Sequence, residues 1–85
     1  MHRSTRRFWL RYTKLPPDVR QRADKCFALL KSNPCHPSLQ FKKIGDVWSV
    51  RVDLSHRAVA MEDGPDFIWV WIGPHDEYER ILKRR

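Results

Sequence analysis

The sequence predicts a small α+β fold: one antiparallel sheet packed against one main N-terminal helix, with a short helix at the C-terminus. Three observations predict it. A helical apolar stripe runs from Asp18 to Lys31, alternating or wholly apolar segments follow between Leu39 and Ile72, and turn residues separate those segments at short intervals. Eighty-five residues suffice for one domain, read here as residues 1–85. A chain of this length buries only about 60–65% of the surface it exposes when unfolded. Its core is therefore expected to be thin, and the four Trp and four Phe supply large buried area per residue.

Met1 to Thr5 is polar and is expected to fray. From Arg6 to Tyr12, Phe8, Leu10 and Tyr12 alternate with Arg7, Trp9 and Arg11, which predicts a strand. Leu15-Pro16-Pro17-Asp18 then opens a helix, because Pro is tolerated in a first turn and an acid there suits the helix dipole. Val19, Ala23, Cys26, Phe27 and Leu30 trace its apolar face, with Arg20, Arg22, Asp24 and Lys25 toward solvent. Asn33-Pro34 ends it.

An antiparallel meander is expected next. Its strands are Leu39–Ile44, Val47–Asp53, Arg57–Met61 and Phe67–Ile72, with turns at Gly45-Asp46, Leu54-Ser55 and Glu62–Asp66. Phe67–Ile72 is apolar on both faces and reads as a central strand covered on both sides. Gly73-Pro74 breaks it, and His75–Arg85 forms a short helix with Tyr78, Ile81 and Leu82 on one side.

The formal net charge of +7 points to an anionic partner, with RNA first among polymers. Two cysteines do not make a disulfide framework, and Cys26 falls on the apolar face of the first helix. No apolar run follows the basic start, and the longest apolar stretch, Phe67–Ile72, is too short to span a bilayer. A cytoplasmic protein with no membrane partner is expected. Cys35, His36, His56 and His75 lack zinc-site spacing, and there is neither a Gly-rich phosphate loop nor a Ser nucleophile elbow. The expectation is therefore no metal and no small-molecule cofactor.

Three local features carry the chemistry: Trp48-Ser-Val-Arg51-Val, Ser55-His56-Arg57, and Gly73-Pro-His75-Asp-Glu-Tyr78. A meander brings the end of one strand beside the start of the next, so Arg51 and Arg57 are expected near each other. The segment after the last strand returns toward the same edge. This set suits metal-independent RNA cleavage. Arg holds phosphate and stabilises a phosphorane, His moves a proton near neutrality, and Tyr or Trp stacks on unpaired bases. Arg51, Arg57, His75 and Tyr78 are the candidate catalytic residues, with Lys42, Lys43 and His56 as candidate phosphate contacts. Plainer readings stand beside these. Arg51 also fits a solvated outer strand face, and Arg57 a surface ion pair with Asp53 or Glu62. His56 fits a turn residue, His75 a helix-end residue, Tyr78 a core contact, and the lysines a solvated face.

The ordered set resembles a known family. A helix ending in Asn33-Pro34 is followed by Leu39-Gln-Phe41-Lys42, Trp48-Ser-Val-Arg51-Val, His56-Arg57-Ala, an apolar strand and Gly73-Pro-His75-Asp-Glu-Tyr78. From about Phe8 to Leu82 this is similar to the RelE/ParE toxins of bacterial type II toxin–antitoxin modules. The resemblance implies a microbial-ribonuclease-like fold and a cognate antitoxin that wraps and silences the toxin. It also implies, for RelE-type members, cleavage of mRNA on the ribosome and inhibition of translation. Arg51 fits a basic position of the family's substrate strand, whereas Ser49 stands where the RelE pattern has a Lys. Arg57 matches the Arg of the Tyr-Arg pair, Tyr78 the C-terminal Tyr, and His75 a His found there in some relatives. Two alternatives belong to the same scaffold: a ParE-type gyrase inhibitor, and a catalytically inactive RNA-binding protein.

Overall fold

A computed structural model describes residues 1–83. Among them, five strands form one sheet in the order β1-β5-β4-β3-β2. In chain order the elements are β1 (His2–Ser4), α1 (Arg6–Thr13), α2 (Pro17–Ser32), a 3-10 turn (Pro37–Leu39), β2 (Lys42–Ile44), β3 (Val47–Asp53), β4 (His56–Asp63), β5 (Asp66–Pro74) and α3 (His75–Lys83). The last two residues of the expected C-terminal helix lie outside the described residues.

The α+β class and the meander are as the sequence predicts, and β2 to β5 pair antiparallel. The start of the chain differs. His2–Ser4, expected to fray, instead forms β1 and pairs parallel with β5, His2 opposite Phe67 and Ser4 opposite Trp69. The sheet is therefore mixed. The segment Arg6–Tyr12, expected as a strand, belongs to the helix α1. Two readings of the same residues compete here. Phe8, Leu10 and Tyr12 alternate, but Phe8, Tyr12 and Leu15 also fall at helical spacing, and all three pack on one core cluster. Thr5 decides locally for the helix: its hydroxyl accepts a hydrogen bond from the Phe8 amide at 3.2 Å, an N-cap of the usual kind. The expected strand Leu39–Ile44 shortens to β2, because its first residue ends the 3-10 turn.

The sheet has two covered faces. On one, α1 and α2 enclose Phe8, Ala23, Cys26, Leu30, Val50, Val52, Ala58, Ala60, Trp69 and Ile72. On the other, α3 covers part of a smaller cluster of Val47, Val59, Trp71 and Tyr78. Trp69 and Ile72 share a face although three positions separate them. The ladder slips between Val59 and Ala60, which pair with Trp71 and Trp69 respectively and leave Val70 as an extra residue on β5. The bulge returns Trp71 and Gly73 to the face that carries α3.

Candidate phosphate site on the sheet face under the C-terminal helix

Alternation along β3 sends Val47, Ser49 and Arg51 toward the α3 face and Trp48, Val50 and Val52 toward α2. Register then fixes the neighbours. Arg57 stands directly opposite Arg51, Gly73 opposite Arg57, and Lys42 opposite Ser49. Like charges directly opposed on adjacent strands destabilise a sheet. Two groups relieve the pair by holding each guanidinium on a neutral oxygen. Arg51 Nε donates to the Ser38 carbonyl at 3.3 Å, and Arg57 Nη2 donates to Gln40 Oε1 at 2.9 Å. The Arg57 guanidinium also lies over the Tyr78 ring, 5.4 Å from its centroid. Its Nε and Nη1 are buried and have no hydrogen-bond partner among the described residues.

Tyr78 links the parts of this site. Only 4% exposed, it donates from its hydroxyl to Ser49 Oγ at 3.1 Å. Its ring also lies 5.8 Å from that of His75. His75 opens α3, anchored by its backbone N–H to the Ser55 carbonyl at 2.7 Å. Its Nδ1 lies 3.7 Å from Glu79, and its side chain is partly exposed. The sequence-predicted set of Arg51, Arg57, His75 and Tyr78 is thus gathered on one face at one end of the sheet. Lys42 shares that face, exposed on the edge strand.

Lys43 and His56 do not join the set. Lys43 pairs with Trp48 in register, on the opposite face, and its ammonium lies 3.3 Å from Glu62. Glu62 also accepts a hydrogen bond from the Trp48 indole. His56 Nδ1 lies 3.0 Å from Asp53 Oδ1, beside Arg22 of α2. Burial pushes the Asp53 carboxyl up, but hydrogen bonds from the Ser55 amide and His56, the His56 charge and Arg22 outweigh it. The result lies below the usual carboxylate range. His56 still lines a depression of about 300 Å³ shared with Ser55 and His75. Two residues at the site have roles that the sequence reading does not assign: Ser49 enters it only as a departure from the RelE pattern, and Gln40 not as a site residue. Ser49 is fully buried and holds Tyr78, and Gln40 holds Arg57. Alternation from Arg51 points to the first, and no local signal marks the second.

Beside α3, the sheet face continues as a cavity of about 960 Å³ with Val47, Val59, Met61 and Trp71 on its floor. Arg7 and Arg11 of α1, with Lys14 at its C-cap, line its rim. Arg11 stacks over Trp71 at 5.4 Å and lies 3.6 Å from Glu77, tying α1 to α3. No group of three or more potential metal ligands occurs among the described residues. None of the described helices is long and apolar enough to cross a membrane.

No family model matches the sequence, and no curated protein matches it significantly. Solved structures do match. A chain of the RelB–RelE antitoxin–toxin complex from Methanococcus jannaschii is 16% identical with a TM-score of 0.72, covering 93% of this chain and 96% of that one. The isolated E. coli RelE toxin is 17% identical with a TM-score of 0.64, covering 99% and 96%. A YoeB/ParE toxin from Agrobacterium tumefaciens is 16% identical with a TM-score of 0.68, covering 87% and 96%. The fold of this chain, three helices on a five-stranded mixed sheet among the described residues, is the RelE-like toxin fold.

Proposed function

We propose that the chain is the toxin of a type II toxin–antitoxin module, acting in the cytoplasm as a metal-independent, ribosome-dependent mRNA endoribonuclease. The observation that carries this reading is the Arg51–Arg57 pair. Two guanidiniums stand opposite each other on a sheet face, held on neutral oxygens and an aromatic ring without a carboxylate. A phosphodiester is the ligand such a pair lacks. With the scissile phosphate between them, the two arginines stabilise the charge that builds on the phosphorane as the 2′-oxygen attacks. His75, half-open to solvent beside Tyr78, takes the 2′-hydroxyl proton or returns one to the departing 5′-oxygen. Lys42 extends the cationic track along the strand edge. The RelE-like fold supports the same reading, since its solved relatives include toxins and antitoxin-bound toxins.

A cognate antitoxin is the implied protein partner. The apolar cavity with its cationic rim suits an acidic amphipathic segment.

The test is expression in a bacterial host with mapping of mRNA ends. Cleavage and growth arrest by the wild type, lost in Arg57→Ala, are expected. Uncut mRNA with the wild type equal to Arg57→Ala overturns the nuclease reading. Inhibition of DNA supercoiling without RNA cleavage assigns the chain to the gyrase-poison alternative. A second reading, RNA binding without cleavage, draws on Tyr78, whose hydroxyl is engaged with Ser49 and is not free to act on a substrate. It predicts salt-steep RNA affinity in a protein that leaves RNA intact.

A further inference from the structure

Gln40 is the one non-glycine residue among the described residues with positive φ, at φ 43° and ψ 44°. This left-handed conformation crowds the Cβ of any L-residue, and Gly or Asn occupies it far more readily than Gln. A strained residue persists where its surroundings fix it, and such residues cluster at ligand clamps and active sites. The surroundings here are specific. The 3-10 turn Pro37–Leu39 is capped by His36, whose Nδ1 accepts from the Ser38 amide at 3.2 Å. The Gln40 amide closes the turn by donating to the Pro37 carbonyl at 3.3 Å. Reversal of the chain at Gln40 then feeds β2, whose first residue pairs with Ser49. The same short loop therefore supplies the Ser38 carbonyl to Arg51 and the Gln40 side-chain oxygen to Arg57.

We propose that Gln40 is a positioning residue for the phosphate site: it fixes the Arg57 guanidinium against the Tyr78 ring and beside Arg51, ready for an anionic ligand. The proposal rests on the reading of this face as an RNA-phosphate site. The chemistry of the contact fits the role. A neutral amide oxygen orients Arg57 without neutralising it, whereas a carboxylate in its place competes with phosphate. The contact holds one nitrogen of the guanidinium and leaves the cation's charge for the ligand. Tyr78 completes the clamp from below, with its own hydroxyl held by Ser49.

Gln40→Gly separates function from structure. Glycine relieves the left-handed backbone while deleting the amide, so a purely structural Gln40 predicts a protein at least as stable and equally able to bind RNA. A positioning Gln40 predicts an unchanged or higher thermal midpoint. It also predicts faster rotation of the Arg57 guanidinium, read by side-chain nitrogen NMR. Affinity for a short single-stranded RNA is then weakened by about tenfold, the scale of one hydrogen bond to a charged group. Gln40→Glu keeps the reach and the Arg57 contact, and weakens RNA binding further while reducing its salt dependence. Unchanged guanidinium rotation in Gln40→Gly overturns the proposal. So does freed rotation with unchanged RNA affinity. If the wild type binds no RNA while Gln40→Gly still frees Arg57, the reading of this face as an RNA-phosphate site falls and only the Gln40–Arg57 contact stands.

Discussion

The Tyr78 hydroxyl donates to Ser49 Oγ at 3.1 Å, joining the first turn of α3 to the middle of β3 within the smaller core. The bond accounts for a fully buried serine on a strand face. It also sets how far α3 reaches over Arg57. Ser49→Ala leaves the Tyr78 hydroxyl without its partner and is expected to cost about 1–3 kcal/mol. Tyr78→Phe removes the other half and is expected to cost about 1 kcal/mol, while keeping the ring beneath Arg57. The double variant loses less than the sum, since each change removes the same bond. Chemical denaturation of the three variants checks this, and strict additivity would show that the two residues do not interact.

Gly73 is the residue opposite Arg57, and a Cβ there meets the Trp71 ring at 2.8 Å from Cζ2 and 3.0 Å from Cη2. Trp71 is buried, and its ring carries the Arg11 guanidinium. Gly73→Ala is therefore expected to push the ring aside, loosen the Arg11 contact and destabilise by about 1–3 kcal/mol, as overpacking does. Gly64 has open space around its Cβ position, but its φ of +60° strains any substitution there. Gly64→Asn is the milder change, because Asn tolerates that conformation. Thermal unfolding of both variants against the wild type decides the order.

The two thiols are expected to separate sharply in reactivity. Burial pushes the Cys26 thiol up to about 11, and it points at the Arg51 carbonyl at 3.5 Å under α2. Cys35 is exposed in the loop after α2. Alkylation of the folded protein at pH 8 should add one group, on Cys35, and denaturant should admit the second. Rapid modification of both thiols in the native protein contradicts the packing of α2 on β3.

Docking of β1 is expected to weaken in mild acid. The Trp69 indole donates to His2 Nδ1 at 3.0 Å, and the His2 ring stacks on Phe67 and Trp69. The bond needs an unprotonated Nδ1. Burial pulls the imidazole below its ordinary value, and the N-terminal ammonium and Lys31 pull it further in the same direction. A depressed value in the folded state means that this contribution is complete above the unfolded value of about 6.5. It is lost as pH falls through the lower folded value. The Trp69 indole resonance should move over that window in the wild type and stay fixed in His2→Phe. Asp53, also held low, acts in a separate and more acidic window, below about 4.

Much of this protein is written locally. The α2 stripe, the β3 alternation and the doubly apolar β5 each follow from side-chain period, because a helix or strand that must bury one face repeats its apolar residues at its own spacing. The turns follow from Gly and Pro. Arg51, Arg57, His75 and Tyr78 are legible as one group because a meander folds consecutive strands side by side. The rest depended on partners distant in sequence. Phe8, Leu10 and Tyr12 satisfy two periods, and the choice of helix rests on the Thr5 cap and on β1, which pairs with a strand more than sixty residues away. Lys43 and His56 look like Lys42 and Arg57 in the sequence. Register alone turns Lys43 to the far face, toward Glu62, while Asp53 and Arg22 hold His56 at the strand end. Gln40 carries no charge and no periodicity, so only the reversed backbone and the nearby Arg57 reveal it. Sequence determined which residues form elements and which carry charge. Tertiary structure decided which charges face one another, because a side chain's direction is set by the pairing of its strand with another.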